Sequence, residues 1–394
     1  MTQVPKIKTC FTELIASESI SALDEILDKS NHGVIQLLHN WLSDLGFTCQ
    51  TQVVKDTRDK LNLLATLIPQ NGSNTGGLLL AGHTDTVPFD NNRWQSNPFK
   101  LMDKDNRWYG LGTCDMKGFF ALVIAALEQI PLNQLNKPLY ILATADEETT
   151  MKGAKDFAEH TDISPDYAII GEPTSLKPVY MHKGHLTQGI RITGRSGHSS
   201  DPDKGLNAIE IMQKVIEQLL KLKQLLAEKY QETAFSVPHP TLNFGHIHGG
   251  DAVNRICGCC ELHIDIRPIP GLPISELELL IKQFLSPIKS EYPNAIDSYC
   301  LYPPNEPFCG NKDDFWTQQA SQLLNTQAEV VNYATEAPYI SKLGCQTLVL
   351  GPGSIEQAHQ PDEYLDTKFI NPTITLLKEL IINSCFNKDL SSRT

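Results

Sequence analysis

Residues 139–173, LYILATADEETTMKGAKDFAEHTDISPDYAIIGEP, decide the fold. LYILATA and YAIIGEP read as short apolar strands, and MKGAKDFAEH between them reads as a helix. Strand, helix and strand in that order are the grammar of an α/β protein with a parallel sheet. Each strand runs directly into acid: Glu147 and Glu148 after the first, Glu172 after the second. Side chains at the carboxyl ends of neighbouring parallel strands converge on one crevice. Three further segments follow the same rule: LLLAGHTDTVP (78–88), YGLGTCDMKG (109–118) and LVLGPG…AHQPDEY (348–364). His83, Asp115, Glu147, Glu148, Glu172 and His359 are therefore expected to meet, and such a set of imidazoles and carboxylates suits two divalent ions that share one carboxylate.

Working outward, NHGVIQLLHNWLSDLGF (31–47) reads as a helix, TCQTQVVK (48–55) and LNLLATLIP (61–69) as strands, and KGFFALVIAALEQI (117–130) as a helix with a fully apolar face. Beyond Lys183 the pattern changes. Strands HLTQGIRITG, TLNFGHIHGG and RICGCCELHIDIRP accompany a long helix from Asn207 to about Tyr230 and a second helix at SELELLIKQFL, which suggests a small antiparallel α+β domain. The segment from Glu336 to His359 returns to the strand-and-loop character of the first part. The expected organisation is a split catalytic domain, residues 1–182 and 303–394, with a largely parallel sheet and helices on both faces. A lid and dimerisation domain of residues 183–302, an antiparallel sheet with two helices, is inserted in it.

At 394 residues the chain is too long for one ordinary core. Hydrophobic residues make up 41% and charged residues 20%, the balance of a globular enzyme rather than a disordered or membrane protein. With 46 acidic against 33 basic residues the net charge is −13, which weighs against a nucleic-acid partner, since phosphate neutralisation needs a concentrated basic face. The opening stretch MTQVPKIKTCFTELIASESIS lacks the apolar core of a signal peptide, and no stretch is apolar enough to span a bilayer, so the expected location is cytoplasmic. The ten cysteines are then expected to remain thiols. Their one cluster, Cys257, Cys259 and Cys260, lacks zinc-knuckle spacing and lies in a strand, so it is read as buried strand packing; His182 and His185 are also kept out of the metal set.

The motifs GHTDTVPFD, YGLGTCDMKGFFA, LYILATADEET, IIGEPTS, GRSGHSSDP, GHIHGGDAVNRIC, ELHIDIRPIPG, VVNYATEAP and GPGSIEQAHQPDEYL stand in one order along the chain. From about Leu14 to Asp366 the sequence resembles the co-catalytic metallohydrolases that include succinyl-diaminopimelate desuccinylase, aminoacylase and glutamate carboxypeptidase. Asp115, set among glycines that let the backbone approach closely, is the candidate shared ligand. The resemblance implies two ions, zinc or alternatively cobalt, one held with His83 and Glu172 and the other with Glu148 and His359. It assigns Glu147 as the general base. Adjacent Glu147 and Glu148 cannot point the same way from extended backbone, which fits one free carboxylate beside one ligand. Two such ions acidify water and polarise a scissile carbonyl.

Asp85, two residues beyond His83, is expected to accept that imidazole's other N–H, with a turn cap as the alternative. By resemblance, His198 reaches the active site of a partner subunit and stabilises the oxyanion, which makes a homodimer obligatory; a loop histidine bonded to its own turn is the plainer reading. Asn254 and Arg267 are candidates for developing negative charge and for a substrate carboxylate, although Arg267 equally suits a structural ion pair. Glu336 is expected to face a cationic substrate side chain or to be structural. The reaction implied is deacetylation of the small molecule N2-acetyl-L-ornithine, a step of arginine biosynthesis. Desuccinylation, broad aminoacylase action and a non-catalytic binding relative are the alternatives.

Overall fold

The computed structural model describes residues 4–386. It divides into two compact units, the first made of Met1–Tyr180, Gly310–Glu329 and Thr335–Thr394, the second of Met181–Cys309 and Val330–Ala334. The insert thus closes later than the sequence pattern placed it, because a fourth strand of its sheet runs on to Asn305.

In the first unit, helices Ile7–Ala16 (α1) and His32–Asp44 (α2) precede strands Thr48–Val53 (β1), Leu61–Leu67 (β2) and Leu78–His83 (β3). Short strands Met102–Lys104 (β4) and Arg107–Tyr109 (β5) lead to helix Lys117–Leu127 (α3). Strand Leu139–Thr144 (β6), helix Lys152–His160 (α4) and strand Tyr167–Ile170 (β7) follow. The chain leaves this unit within strand Val179–His182 (β8).

The second unit contains strand His185–Thr193 (β9), helix Ala208–Lys229 (α5), strands Thr241–Gly249 (β10) and Cys259–Arg267 (β11), helix Ile274–Glu291 (α6) and strand Ile296–Asn305 (β12). After Phe308–Cys309 (β13) come helix Phe315–Leu324 (α7), strand Glu329–Val331 (β14), helix Ala337–Ile340 (α8), strands Gln346–Val349 (β15) and Tyr364–Asp366 (β16), and helix Ile370–Ile381 (α9).

The sheet of the first unit runs β1-β2-β6-β3-β7-β15. Its centre is parallel: β3 pairs with β6 and β7, and β15 with β7, while β1 and β2 are antiparallel. β3 and β6 are buried along their whole length, as strands covered on both faces must be. Helix α3 is buried at every residue and packs against α1 and α9, whereas α4 packs against α8. This arrangement brings the carboxyl ends of β6, β3, β7 and β15 side by side, and a small sheet β16-β5-β4 carries the loops beside them.

The second unit is a four-stranded antiparallel sheet in the order β10-β11-β9-β12, with α5 and α6 packed together and onto its strands. Alternation along β11 turns Leu262, Ile264 and Ile266 into the core and Glu261, His263, Asp265 and Arg267 outward. The same alternation splits the cysteine cluster: Cys257 and Cys260 are buried as expected, but Cys259 is exposed. His182 is buried against the Lys183 carbonyl at 2.8 Å, with its pKa pushed down to about 4 by burial, and His185 pairs with Asp265 at 3.0 Å.

Candidate metal centre

Each strand end delivers its residue to one place. His83 is the last residue of β3, Glu147 and Glu148 lie in the turn after β6, Glu172 stands two residues beyond β7, and His359 lies in the loop after β15. Asp115 comes from the glycine-rich turn that enters α3, and its peptide bond to Met116 is cis.

The distances define a linked cluster. His83 Nε2 is 3.1 Å from Asp115 Oδ1 and 3.8 Å from Glu172 Oε1. The second oxygen of Asp115, Oδ2, is 3.8 Å from His359 Nε2, which stands 2.9 Å from Glu148 Oε2. One carboxylate therefore spans two imidazoles, each of which has a further glutamate. Potential donor atoms of His83, Glu147 and Glu172, and likewise of His83, Asp115 and Glu148, lie within 4.8 Å of one another. His83 Nδ1 lies 3.0 Å from the main-chain carbonyl of Asp85. A carbonyl only accepts, so this bond fixes a proton on Nδ1 and turns Nε2 toward the carboxylates, the atom through which the neutral ring can bind a cation.

That contact corrects the role expected for Asp85. Its carboxylate stands 3.7 Å from Nδ1 and instead accepts the main-chain N–H groups of Glu147 and Glu148, at 3.2 and 3.1 Å. β3 ends at His83, so the two-residue alternation that would put both side chains on one face no longer applies. Asp85 thereby clasps the turn that presents the two glutamates.

Electrostatically the cluster is short of positive charge. Burial, and then the Glu172 charge, push the Glu147 carboxyl well above its ordinary range; burial likewise holds Glu172 well up, and burial with Asp115 raises Glu148. Burial disfavours a charged His83, but Asp115 and Glu172 override it and hold its pKa well above normal. Glu148 lifts His359 to about 9. Several carboxylates packed away from water are costly unless cations neutralise them, and hard carboxylate oxygens with imidazole nitrogens suit divalent ions such as Zn²⁺. The donor set fits two metal ions.

Of the two roles expected for Glu336, its enclosure favours the structural one. It directly precedes α8 with no solvent-exposed surface, and its Oε2 accepts the Thr144 hydroxyl at 2.9 Å while burial pushes its pKa up to about 7. The TEAP segment is folded inward by the four buried residues of α8, so the carboxylate has no open face for a substrate ammonium in this conformation.

Sequence reasoning passed over Glu363. It is buried and accepts three main-chain N–H groups of the Asp115 turn, donors that favour its charged form while burial pushes its pKa up. Cys114, in that turn, is buried, and burial with Glu363 holds its thiol well above the usual range, which leaves little thiolate for oxidation.

His198, Asn254 and Arg267 lie in the second unit. His198 is exposed and bridges to Arg255, and the Asn254 carbonyl accepts the Ser199 N–H at 3.1 Å, so the two loops run together. The Ser200 N–H donates to His198 Nδ1 at 3.2 Å, which keeps the proton of the neutral ring on Nε2. Arg267 Nε donates to Asp265 at 2.9 Å.

Comparison with known proteins shows the family. Residues 79–383 match the Peptidase family M20/M25/M40. The chain is 55% identical over 384 residues to the acetylornithine deacetylase of Erwinia tasmaniensis, covering 98% of this chain and 99% of that protein, and 56% identical over 384 residues to that of Edwardsiella ictaluri, with the same coverage. Among solved structures, an M20 family metallo-carboxypeptidase from Sulfolobus solfataricus shares the fold at a TM-score of 0.74 and 18% identity, over 96% of this chain and 98% of the other. A dinuclear metal binding peptidase of the M20 family from Bacillus subtilis aligns with a TM-score of 0.63 and 15% identity, over 96% and 98%. The chain belongs to peptidase family M20/M25/M40, and it is a hydrolase of amide bonds.

Proposed function

We propose that this hydrolase deacetylates N2-acetyl-L-ornithine to L-ornithine and acetate, a step of arginine biosynthesis. The observation that carries the reaction is the cluster in which buried Asp115 reaches toward both His83 and the more exposed His359, while Glu147 stands beside His83 and Glu172. The choice of substrate rests on near-full-length likeness to proteins named acetylornithine deacetylase. In this reading His83, Asp115 and Glu172 hold one divalent ion and Asp115, Glu148 and His359 the other, zinc first and cobalt as alternative. Bound there, the ions polarise the scissile carbonyl and make a water molecule more acidic.

Glu147 then takes the proton of the attacking water and hands it to the leaving amine. Burial beside Glu172 raises its affinity for a proton, the property a base needs to accept one from water. Asp85, through its grip on the Glu147 and Glu148 N–H groups, keeps base and ligand apart. Arg267 and Asn254 are assigned to the substrate carboxylate and to developing negative charge. The partner subunit's His198 donates its Nε2–H to the oxyanion.

A homodimer has support in the second unit, where edge strand β10 and α5 flank a groove of about 490 Å³ lined by Ile209, Met212, Ile216, Leu220 and Ile247. A cytoplasmic location has support in ten free cysteines and in the absence, among the described residues, of any helix long and apolar enough to cross a membrane. The deciding experiment is ornithine release from N2-acetyl-L-ornithine by metal-reconstituted protein, run beside N-succinyl-diaminopimelate and N-acetyl-methionine. Preference for the ornithine compound, abolished by chelator, is the expected result. Preference for another amide overturns the substrate, and no turnover on any of the three makes the chain a binding relative.

A further inference from the structure

We infer that Glu363 is a positioning residue that fixes the spacing of Asp115 and His359, and so sets how tightly the centre holds its ions. The inference rests on the reading above that these two residues are metal ligands. Glu363 lies four residues after His359 in the same loop, and its side chain is enclosed at 1% exposure. Its Oε1 accepts the N–H groups of Cys114 and Asp115 at 2.7 and 3.0 Å, and its Oε2 accepts that of Gly112 at 2.9 Å. Its own carbonyl accepts the Gly110 N–H at 3.0 Å. One residue from the His359 loop thus grips the Asp115 turn at four points, and the β16–β5 ladder continues the attachment through Tyr364 and Tyr109.

The partners explain why the side chain is an acid. The turn bends through Gly112 at φ +87°, and its successive N–H groups converge on one spot as an anion nest. Only a carboxylate offers acceptors at both oxygens; an amide of the same shape presents its NH₂ to an N–H and leaves at least one buried donor unpaired. Placing one more carboxylate beside Asp115 opposes ionisation of both, a repulsion that a purely structural brace, such as a serine or a water, avoids. What the carboxylate adds is geometry: the ligand whose N–H it accepts, and the ligand four residues before it, move as one piece. Asp362 fastens the same loop elsewhere, its Oδ1 accepting the Gln95 and Ser96 N–H groups at 3.0 Å each, so the loop has a second anchor that survives the loss of Glu363.

The test is a zinc titration by calorimetry on full-length apoprotein, comparing wild type, Glu363→Gln and Glu363→Asp, with turnover measured across the same zinc range. Glu363→Asp keeps the charge but withdraws it by one methylene, so it remains informative where Glu363→Gln does not fold. Expected are two ions in wild type, about a 10- to 100-fold weaker second ion in either variant, and recovery of turnover at high zinc. Unchanged zinc affinities in the folded variants, or lost turnover that excess zinc does not restore, overturn the role of Glu363 alone. A wild-type protein that takes up no zinc overturns the metal reading on which it stands.

Discussion

Two sets of carboxylates in this molecule have opposite fates. On the open face of the second unit's sheet, Glu261 accepts from Arg191, His263 and Tyr299, and those bonds, Tyr299 first, hold its pKa down to about 2. Asp265 is likewise held low, because His185 and Arg267 outweigh its burial. Each acid there has its counter-charge within the fold. At the strand ends of the first unit, Glu147 and Glu172 are pushed up instead, by burial and by other acids, with His83 as the nearest compensation. A carboxylate matched by a neighbour has its charge balanced within the fold; a buried group of acids in excess of cations suits binding of metal ions.

The sharpest way to break this contrast is Glu147→Gln. If the residue is the proton carrier and not a ligand, turnover falls by about 10²- to 10⁴-fold while bound zinc, counted by atomic absorption, is unchanged. Loss of metal along with activity would return Glu147 to the ligand set. Asp115→Asn attacks the shared oxygen pair instead. Zinc at about a hundred times its Kd should stabilise wild type by ~2.7 kcal/mol over apoprotein, and the variant should forfeit most of that protection in a thermal melt. Equal protection in both proteins would remove Asp115 from the bridge.

That the six residues of the candidate site come together is legible because each follows an apolar run, and a parallel sheet lines up the ends of such runs. What stayed hidden depended on where elements stop. Asp85 looked like a partner of His83 by strand alternation, but the strand ends one residue too soon. Strand β12 contains Pro303 and Pro304 and escaped notice, since proline belongs only to sheet edges; β12 is an edge, with register shifts around Tyr302. The sequence leaves open whether Glu336 faces substrate and gives no sign of Glu363, because burial arises from contacts distant in sequence: Thr144 for one and the Asp115 turn for the other. Sequence identified which residues carry charge, and packing decided which of them face solvent.

The same contrast predicts opposite pH behaviour for Glu336 and Glu261. Glu336, lifted to about 7, binds a proton in the folded state that the unfolded chain has released, so its contribution declines as pH rises from about 4.5 through 7. Glu336→Gln should therefore make the apoprotein more stable than wild type at pH 8, by roughly 1–2 kcal/mol in urea melts, with the gap closing by pH 5. A constant gap at all pH values would mean that shape, not charge, is at stake. Glu261 has the reverse sign. Its pKa is depressed in the fold, so its contribution is present above about 4.5 and disappears as pH falls toward 2. Because the site is partly open to water, Glu261→Gln should cost at most ~1 kcal/mol at neutral pH and leave metal content and turnover untouched. A large loss of activity from that substitution would mean that the sheet face serves the reaction, and the division between matched and unmatched carboxylates would no longer separate scaffold from site.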